Sequence, residues 1–258
     1  MRIMIVPKKV FIRTALVLCV ALISIAYVRV LTPNVATTFA PAPAKKPLPV
    51  YNVARDDNKV AISFDAAWGD EKTEEILRIL DERDITTTFF LVGYWVDAYP
   101  EDVKLIHDMG HEIGNHSATH PYMSKLSSEQ MISELKKCSD KVEAITGVPT
   151  TLFRPPYGDY NSEVVTTSRA QGYEIVQWDV DSLDWKNYGV QPMVDQVTKK
   201  VKSGSIVLFH NNSEYITQAL PTILDTLIEQ GYEIVPVSEI LLEGDTIIDH
   251  AGCQHKAG

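Results

Sequence analysis

Val60-Ala61-Ile62-Ser63-Phe64 is a short run of apolar and β-branched residues, and Asp65 follows it directly. A run of this length, without Gly or Pro, reads as a buried strand ending on an ionisable side chain. The pattern recurs along the chain. Residues 71–83 carry Ile76, Leu77, Ile79 and Leu80 at helical spacing, and Thr86 to Val92 is again β-branched and aromatic. A helix over 100–109 stops at Gly110 and leads into a short strand, His111–Gly114. Ser127 and Gln130 form a capping box that opens a helix to Ile145, closed by Gly147. Leu152-Phe153-Arg154 is a short strand, a helix from 162 ends at Gly172, and Tyr173–Trp178 is a strand. A helix over 191–202, a strand Ser205–Phe209, a helix 216–229 and a strand Tyr232–Val235 complete the series.

Continuous apolar strands joined by helices imply a parallel sheet covered on both faces. With about seven such units the expected fold class is α/β, an irregular (β/α) barrel. In barrels the chemistry sits where strands end, and the ionisable residues here fall in those places. Asp65 follows the first strand, His116 follows His111–Gly114, and Arg154 ends the next. Asp179 and Asp181 follow Tyr173–Trp178, and His210 ends Val207-Leu208-Phe209.

His116 and His120 lie four residues apart in Gly114-Asn115-His116-Ser117-Ala118-Thr119-His120, a spacing that lets two imidazoles share one divalent ion. Two loop histidines bonded to backbone would show the same spacing. A carboxylate at Asp65 is placed either to activate water beside such an ion or to cap the following loop. Arg154 keeps its charge at any accessible pH and pairs well with a carboxylate, catalytic or structural. His210 reads as a proton donor or as a structural histidine, and Asp181-Ser182-Leu183-Asp184-Trp185 as an acid beside an aromatic wall or as a polar loop. His111-Glu112 does not open a zinc-protease motif, because no histidine stands three residues after the glutamate.

Charge is unevenly spread over the 258 residues. Residues 1–46 carry +7 and no acid, which leaves −17 on residues 47–258 out of a net −10. An acidic body argues against nucleic acid, and no Gly-x-Gly or phosphate loop suggests a nucleotide cofactor. Ala15 to Val28 is nearly unbroken apolar sequence behind Lys8, Lys9 and Arg13, which reads as a single transmembrane helix with the body exported. The competing reading is a cleaved signal peptide. Four segments are expected: a cytoplasmic tip and membrane anchor (1–31), a Pro/Ala-rich linker (32–49), a catalytic domain (50–242) and a tail (243–258). Cys19, Cys138 and Cys253 form no paired framework and read as free thiols, the alternative being a Cys138–Cys253 bridge in an exported domain. His250, Cys253 and His255 look like a metal cluster but sit in a terminal stretch where fraying is usual.

Five motifs, Ser63-Phe64-Asp65, His116-Ser117-Ala118-Thr119-His120, Arg154-Pro155-Pro156-Tyr157, Asp181-Ser182-Leu183-Asp184-Trp185 and Val207-Leu208-Phe209-His210, resemble in order those of the NodB-homology polysaccharide deacetylases, carbohydrate esterase family 4. Within it, Ser63 to Asp70 and the leader look most like the sporulation-linked PdaB-type members. The resemblance implies a metal-dependent hydrolase that removes acetyl groups from an envelope glycan, peptidoglycan or chitin-like; a monomer is expected. It assigns Asp65 as general base, His116 and His120 as ligands of a divalent ion (zinc first, then cobalt, nickel or manganese) and Arg154 as the tether of Asp65. It assigns Asp181 to orient His210, the general acid, Tyr157 to the oxyanion through its backbone N–H, and Trp185 and Leu208 to the acetyl pocket. One position departs: where the family usually has a second aspartate as third ligand, this chain has Ala66, so either Asp70 folds back to substitute or the ion is held weakly by the two histidines and water. That departure also leaves open a glycan-binding protein with a degraded metal site.

Overall fold

The structure is a computed structural model, and it describes residues 46–257 throughout, with residues 8, 9, 12, 13, 16–20, 22 and 24 before them. The chain divides into two units, Met1–Lys45 and Lys46–Gly258. The described residues of the first unit are helical, and among the described residues no helix is long and apolar enough to cross a membrane. The expected anchor lies partly outside the described residues, as does most of the linker.

The second unit begins with β1 (Asn52–Val53) and β2 (Lys59–Ala66), followed by α1 (Thr73–Asp81), β3 (Thr88–Leu91), α2 (Gly93–Ala98), α3 (Pro100–Asp108) and β4 (Glu112–Asn115). Then come α4 (Ser128–Thr146), β5 (Leu152–Phe153), α5 (Ser162–Ala170), β6 (Glu174–Ile175), β7 (Val180–Asp181), α6 (Val190–Thr198) and β8 (Ile206–His210). The unit ends with α7 (Ile216–Glu229), β9 (Glu233–Val235), α8 (Val237–Ile240), β10 (Thr246–Ile248) and β11 (Cys253–Lys256). The main sheet runs β6-β5-β4-β3-β2-β8-β7, all neighbours parallel, and β9 adds to the start of β2. Among the described residues no ladder joins β6 to β7, so the sheet is a curled half-barrel and not the closed ring expected from strand count. The strands facing that gap have two residues each, too short to complete it.

Strand alternation in β2 sorts its side chains. Val60, Ile62, Phe64 and Ala66 enter the apolar layer under the helices, where Phe64 stacks between Phe89 and Phe209 at 5.0 and 5.7 Å. Ala61 turns inward to a smaller cluster with Phe90, Leu152, Val176 and Ile206. Ser63 and Asp65 follow it, one and two pleats nearer the strand's carboxy-terminal end. The inside of the curl therefore passes from apolar to polar along one strand, and the polar end is the mouth. The capping box at Ser127 and Gln130 is formed as expected.

Residues 246–256, expected to fray, are ordered by pairing. β11 lies parallel to β1 and antiparallel to β10 in a second, three-stranded sheet. The side chain of Gln254 is buried and accepts from Leu242 N–H, which ties this sheet to the body. Cys19, Cys138 and Cys253 are free thiols, and burial pushes Cys138 up to about 12.

His111, at the root of β4, accepts the Thr87 N–H on Nδ1 at 3.1 Å, which requires a neutral ring. Burial pushes its pKa from 6.5 down to about 4. The unfolded chain takes up this proton near pH 6.5 and the folded chain only near 4, so the stability is present above 6.5 and lost as pH falls through that window. Urea unfolding is expected to weaken there by up to about 3 kcal/mol from this group. His111→Gln, which keeps an acceptor, should show a shallower fall; the wild-type slope in that variant would contradict the assignment.

Candidate active site

Arg154 organises the mouth of the half-barrel. Its side chain is fully buried, with Nη1 donating to Asp65 Oδ1 at 2.8 Å and Nη2 to Ser63 Oγ at 2.8 Å and to the Gln177 carbonyl at 3.2 Å. The guanidinium carbon lies 4.2 Å from the centre of the Phe90 ring, which supports the cation from one face. Burial alone would push the Asp65 carboxyl up. The Arg154 cation, then the His116 and His210 imidazoles, outweigh burial and hold Asp65 below the usual carboxylate range.

The backbone of Arg154 places the next group. Its N–H binds the Asn115 carbonyl at 3.0 Å, and its own carbonyl accepts from His116 Nδ1 at 2.7 Å. That bond sets the tautomer and leaves His116 Nε2 facing Asp65 Oδ2 at 3.5 Å. The loop beyond is locked from two sides. Asn115 Oδ1 accepts from Ser117 N–H, while Glu134 accepts from the Ala118 and Thr119 N–H groups. Ser117 and His120 both take positive φ, 67° and 57°, which swings the His120 ring back to 4.9 Å from that of His116. The His120 ring lies between Trp68 (5.1 Å) and Tyr157 (4.5 Å), and its Nδ1 is buried without a protein partner. Burial, then His116, pushes its pKa down to about 4, and burial lowers His116 as well. Both rings are neutral near pH 7, the form that binds metal.

His210 ends β8 directly beside Asp65, its registered neighbour in β2. Its Nδ1 donates to Asp184 Oδ1 at 2.8 Å, and its backbone N–H to Asp184 Oδ2 at 2.7 Å. Burial acts to lower its pKa, but the hydrogen bond and charge of Asp184 prevail and raise it. The carboxylate that orients His210 is therefore Asp184 and not Asp181. Asp181 Oδ1 accepts the Leu183 N–H at 2.8 Å, and that turn, with Leu183 at φ 57°, delivers Asp184 to the histidine. Asp179 is committed to Ser205 Oγ and Ile206 N–H, away from the mouth.

Asp70 does not reach the histidines. After Trp68 the chain turns at Gly69, φ 64°, whose carbonyl is held by Trp95 Nε1 and Asn211 Nδ2. Asp70 is thereby directed to Asp102 on α3, whose carboxyl is pushed up to about 6 by burial, then by Asp70 and Glu74. Ala66 is buried in the apolar layer and offers no donor. Two imidazoles thus fit a divalent ion, each with one ring nitrogen not bonded to protein, but neither Ala66 nor Asp70 supplies a third donor there. Among the described residues, the group of three donors with all ligand atoms within 4.8 Å of one another lies elsewhere, at Asp249, Cys253 and His255.

The cleft has two joined lobes of about 510 and 490 Å³ that share Asp65, Ala67, Trp68, Trp185 and His210. Tyr157, Leu208, Trp178 and Asp181 line the histidine lobe, while Asn187, Asn212 and Glu214 line the other. Tyr157, at φ 59°, stacks on Tyr122 at 4.4 Å, and both are exposed. Trp68 was not anticipated as a site residue, although it stands three positions after Asp65 at the end of β2. Its aromatic type there was the available signal.

The polysaccharide deacetylase profile matches residues 52–176. A peptidoglycan-N-acetylglucosamine deacetylase of Bacillus cereus is 37% identical over 196 residues, covering 74% of this chain and 92% of that protein. The uncharacterized protein YlxY of Bacillus subtilis is 32% identical over 77% of this chain, which spans only 62% of that relative's length. The crystal structure of BA3943 from Bacillus anthracis, described as a CE4 family pseudoenzyme, has a TM-score of 0.73 at 36% identity, with 76% of this chain and 70% of that one covered. A mutant of it with restored enzymatic activity also has a TM-score of 0.73, at 38% identity, with 76% of this chain and 72% of that one covered. With the ordered motifs and the half-barrel, these matches show that the chain belongs to the polysaccharide deacetylase family.

Proposed function

We propose that this protein hydrolyses N-acetyl groups on an envelope glycan of the peptidoglycan class. The observation that carries the reading is the opposition of two differently tuned groups on neighbouring strands, Asp65 held ionised by Arg154 and His210 held towards its protonated form by Asp184. Two groups so tuned suit amide hydrolysis, in which water adds to the carbonyl and the amine leaves with a proton. Asp65, as base, takes a proton from the attacking water. His210, with Nδ1 bonded to Asp184, offers the proton on Nε2 to the departing nitrogen, and acetate and a free amine result. His116 and His120 would hold a divalent ion, which when bound supplies Lewis-acid polarisation of the acetyl carbonyl. Leu208 and Trp185 shape an apolar slot for the methyl group, and the exposed rings of Trp68, Tyr157 and Tyr122 offer flat faces to sugar rings. The peptidoglycan class is supported by the Bacillus cereus relative's name. A single-pass membrane location with the domain exported and a sporulation setting rest on the leader sequence and the motif resemblance respectively.

A second reading is favoured by Ala66: a glycan-binding protein whose metal site has lost a ligand, and one similar structure is described as that of a CE4 family pseudoenzyme. A cleft that only binds has no use for the Asp184–His210 pair, and this favours turnover.

Acetate release from N-acetylated peptidoglycan, tested with zinc, cobalt, nickel and manganese, is expected for the wild type. Asp65→Asn and His210→Ala should each lower it by about 10²- to 10⁴-fold; no release with any of the four ions would favour the binder. His210 should also titrate, by proton NMR, at lower pH in Asp184→Asn than in wild type, because its raised pKa depends on that carboxylate. Asp181→Asn should move it much less. Equal shifts in the two variants would return the orienting role to Asp181.

A further inference from the structure

The geometry points to a metal site at the opposite end of the half-barrel from the cleft, formed by Asp249, Cys253 and His255 and suited to zinc or a similar borderline-soft divalent ion. Strand β8 shows the placement: it ends at the cleft with His210, while Ser205, just before its start, bridges to Asn52 of β1. Asn52 is in turn registered with Cys253 of β11.

Three features bring the donors together. Cys253 and His255 are two apart on β11 and share one face, while Gln254 between them turns into the body. The turn before β11 is tight: Asp249 N–H binds the Cys253 carbonyl and Gly252 N–H the Asp249 carbonyl. Gly252 sits at φ 82°, and a Cβ there would lie 2.3 Å from the Tyr51 ring, so the turn closes only around glycine. Finally, Asp249 Oδ1 is pinned by the N–H groups of Ala251 (2.8 Å) and Cys253 (3.0 Å), which leaves Oδ2 directed at His255 Nε2, 3.1 Å away.

The thiol is uncommitted, its sulfur being 3.9 Å from the Gln254 carbonyl oxygen, at the outer limit for a sulfur contact. All three side chains are only partly buried, so an ion can reach them. Their ligand atoms lie within 4.8 Å of one another. Donors around a tetrahedral zinc are about 3.3 to 3.6 Å apart, so about 1 Å of closure completes the set. One thiolate, one imidazole and one carboxylate select zinc or cobalt over magnesium or calcium, which prefer oxygen alone. His250 is not part of the group. The nearby charges that bear on the thiol, besides Asp249, are Asp179 and Lys202, which oppose each other. An ion here would clamp β11 in its hairpin and so secure its pairing with β1. This site shares no residue with the cleft and does not depend on the deacetylase reading.

Cobalt(II) titrated into the metal-free full chain tests the proposal. A cobalt–thiolate bond gives an intense near-ultraviolet charge-transfer band, and the cleft has no cysteine to produce one. The band is expected in wild type at one ion per chain. It should persist in His116→Ala and His120→Ala, disappear in Cys253→Ser and weaken by at least about tenfold in affinity in His255→Ala. Absence of the band in wild type at millimolar cobalt, or its survival in Cys253→Ser, would overturn the site.

Discussion

A guanidinium with no exposure to water must be matched by a charge, and at the mouth of this half-barrel Asp65 matches it. Much of the site follows from that pairing. Arg154 fixes the carboxylate through its side chain, the His116 tautomer through its carbonyl and the junction of β4 with β5 through its N–H. Removing one member of such a buried pair typically costs about 3 to 5 kcal/mol, because the other is left charged and unmatched. The base is kept ionised by the same contact that holds strands β2 and β5 at their working separation.

The second organising contact is independent of the first and lies on the other side of β2. Asp184 grips His210 twice, by ring and by backbone, so the donor cannot rotate without breaking a buried charge-assisted bond. Because β2 and β8 are registered with Asp65 beside His210, base and acid are separated by one strand spacing, roughly 5 Å. A substrate carbonyl has to enter between them, and the two-lobed cleft leaves room on both sides for the rest of a glycan chain.

Much of this was legible in the sequence because strand ends announce themselves. Asp65, Arg154 and His210 each close an apolar run, His116 follows a short strand, and the sheet brings all four to one mouth. The errors have identifiable physical causes. Asp181 and Asp184 sit in one loop, and a left-handed residue at Leu183, which sequence does not reveal, decides which of them faces His210. Asp70 looked available in a linear reading, but the Gly69 turn and the hydrogen bonds on its carbonyl send it to Asp102. The terminal strand looked frayed because its partner, β1, lies some two hundred residues earlier in the chain, and the barrel looked closed because strand count says nothing of strand length.

The coupling between Arg154 and Asp65 organises the site, and a double-mutant cycle measured by chemical denaturation tests it most directly. Arg154→Met alone should lose about 3 to 5 kcal/mol, and combining it with Asp65→Asn should recover at least about 2 kcal/mol relative to additive single losses. Losses that add to within about 0.5 kcal/mol would show that the two side chains do not act as a pair.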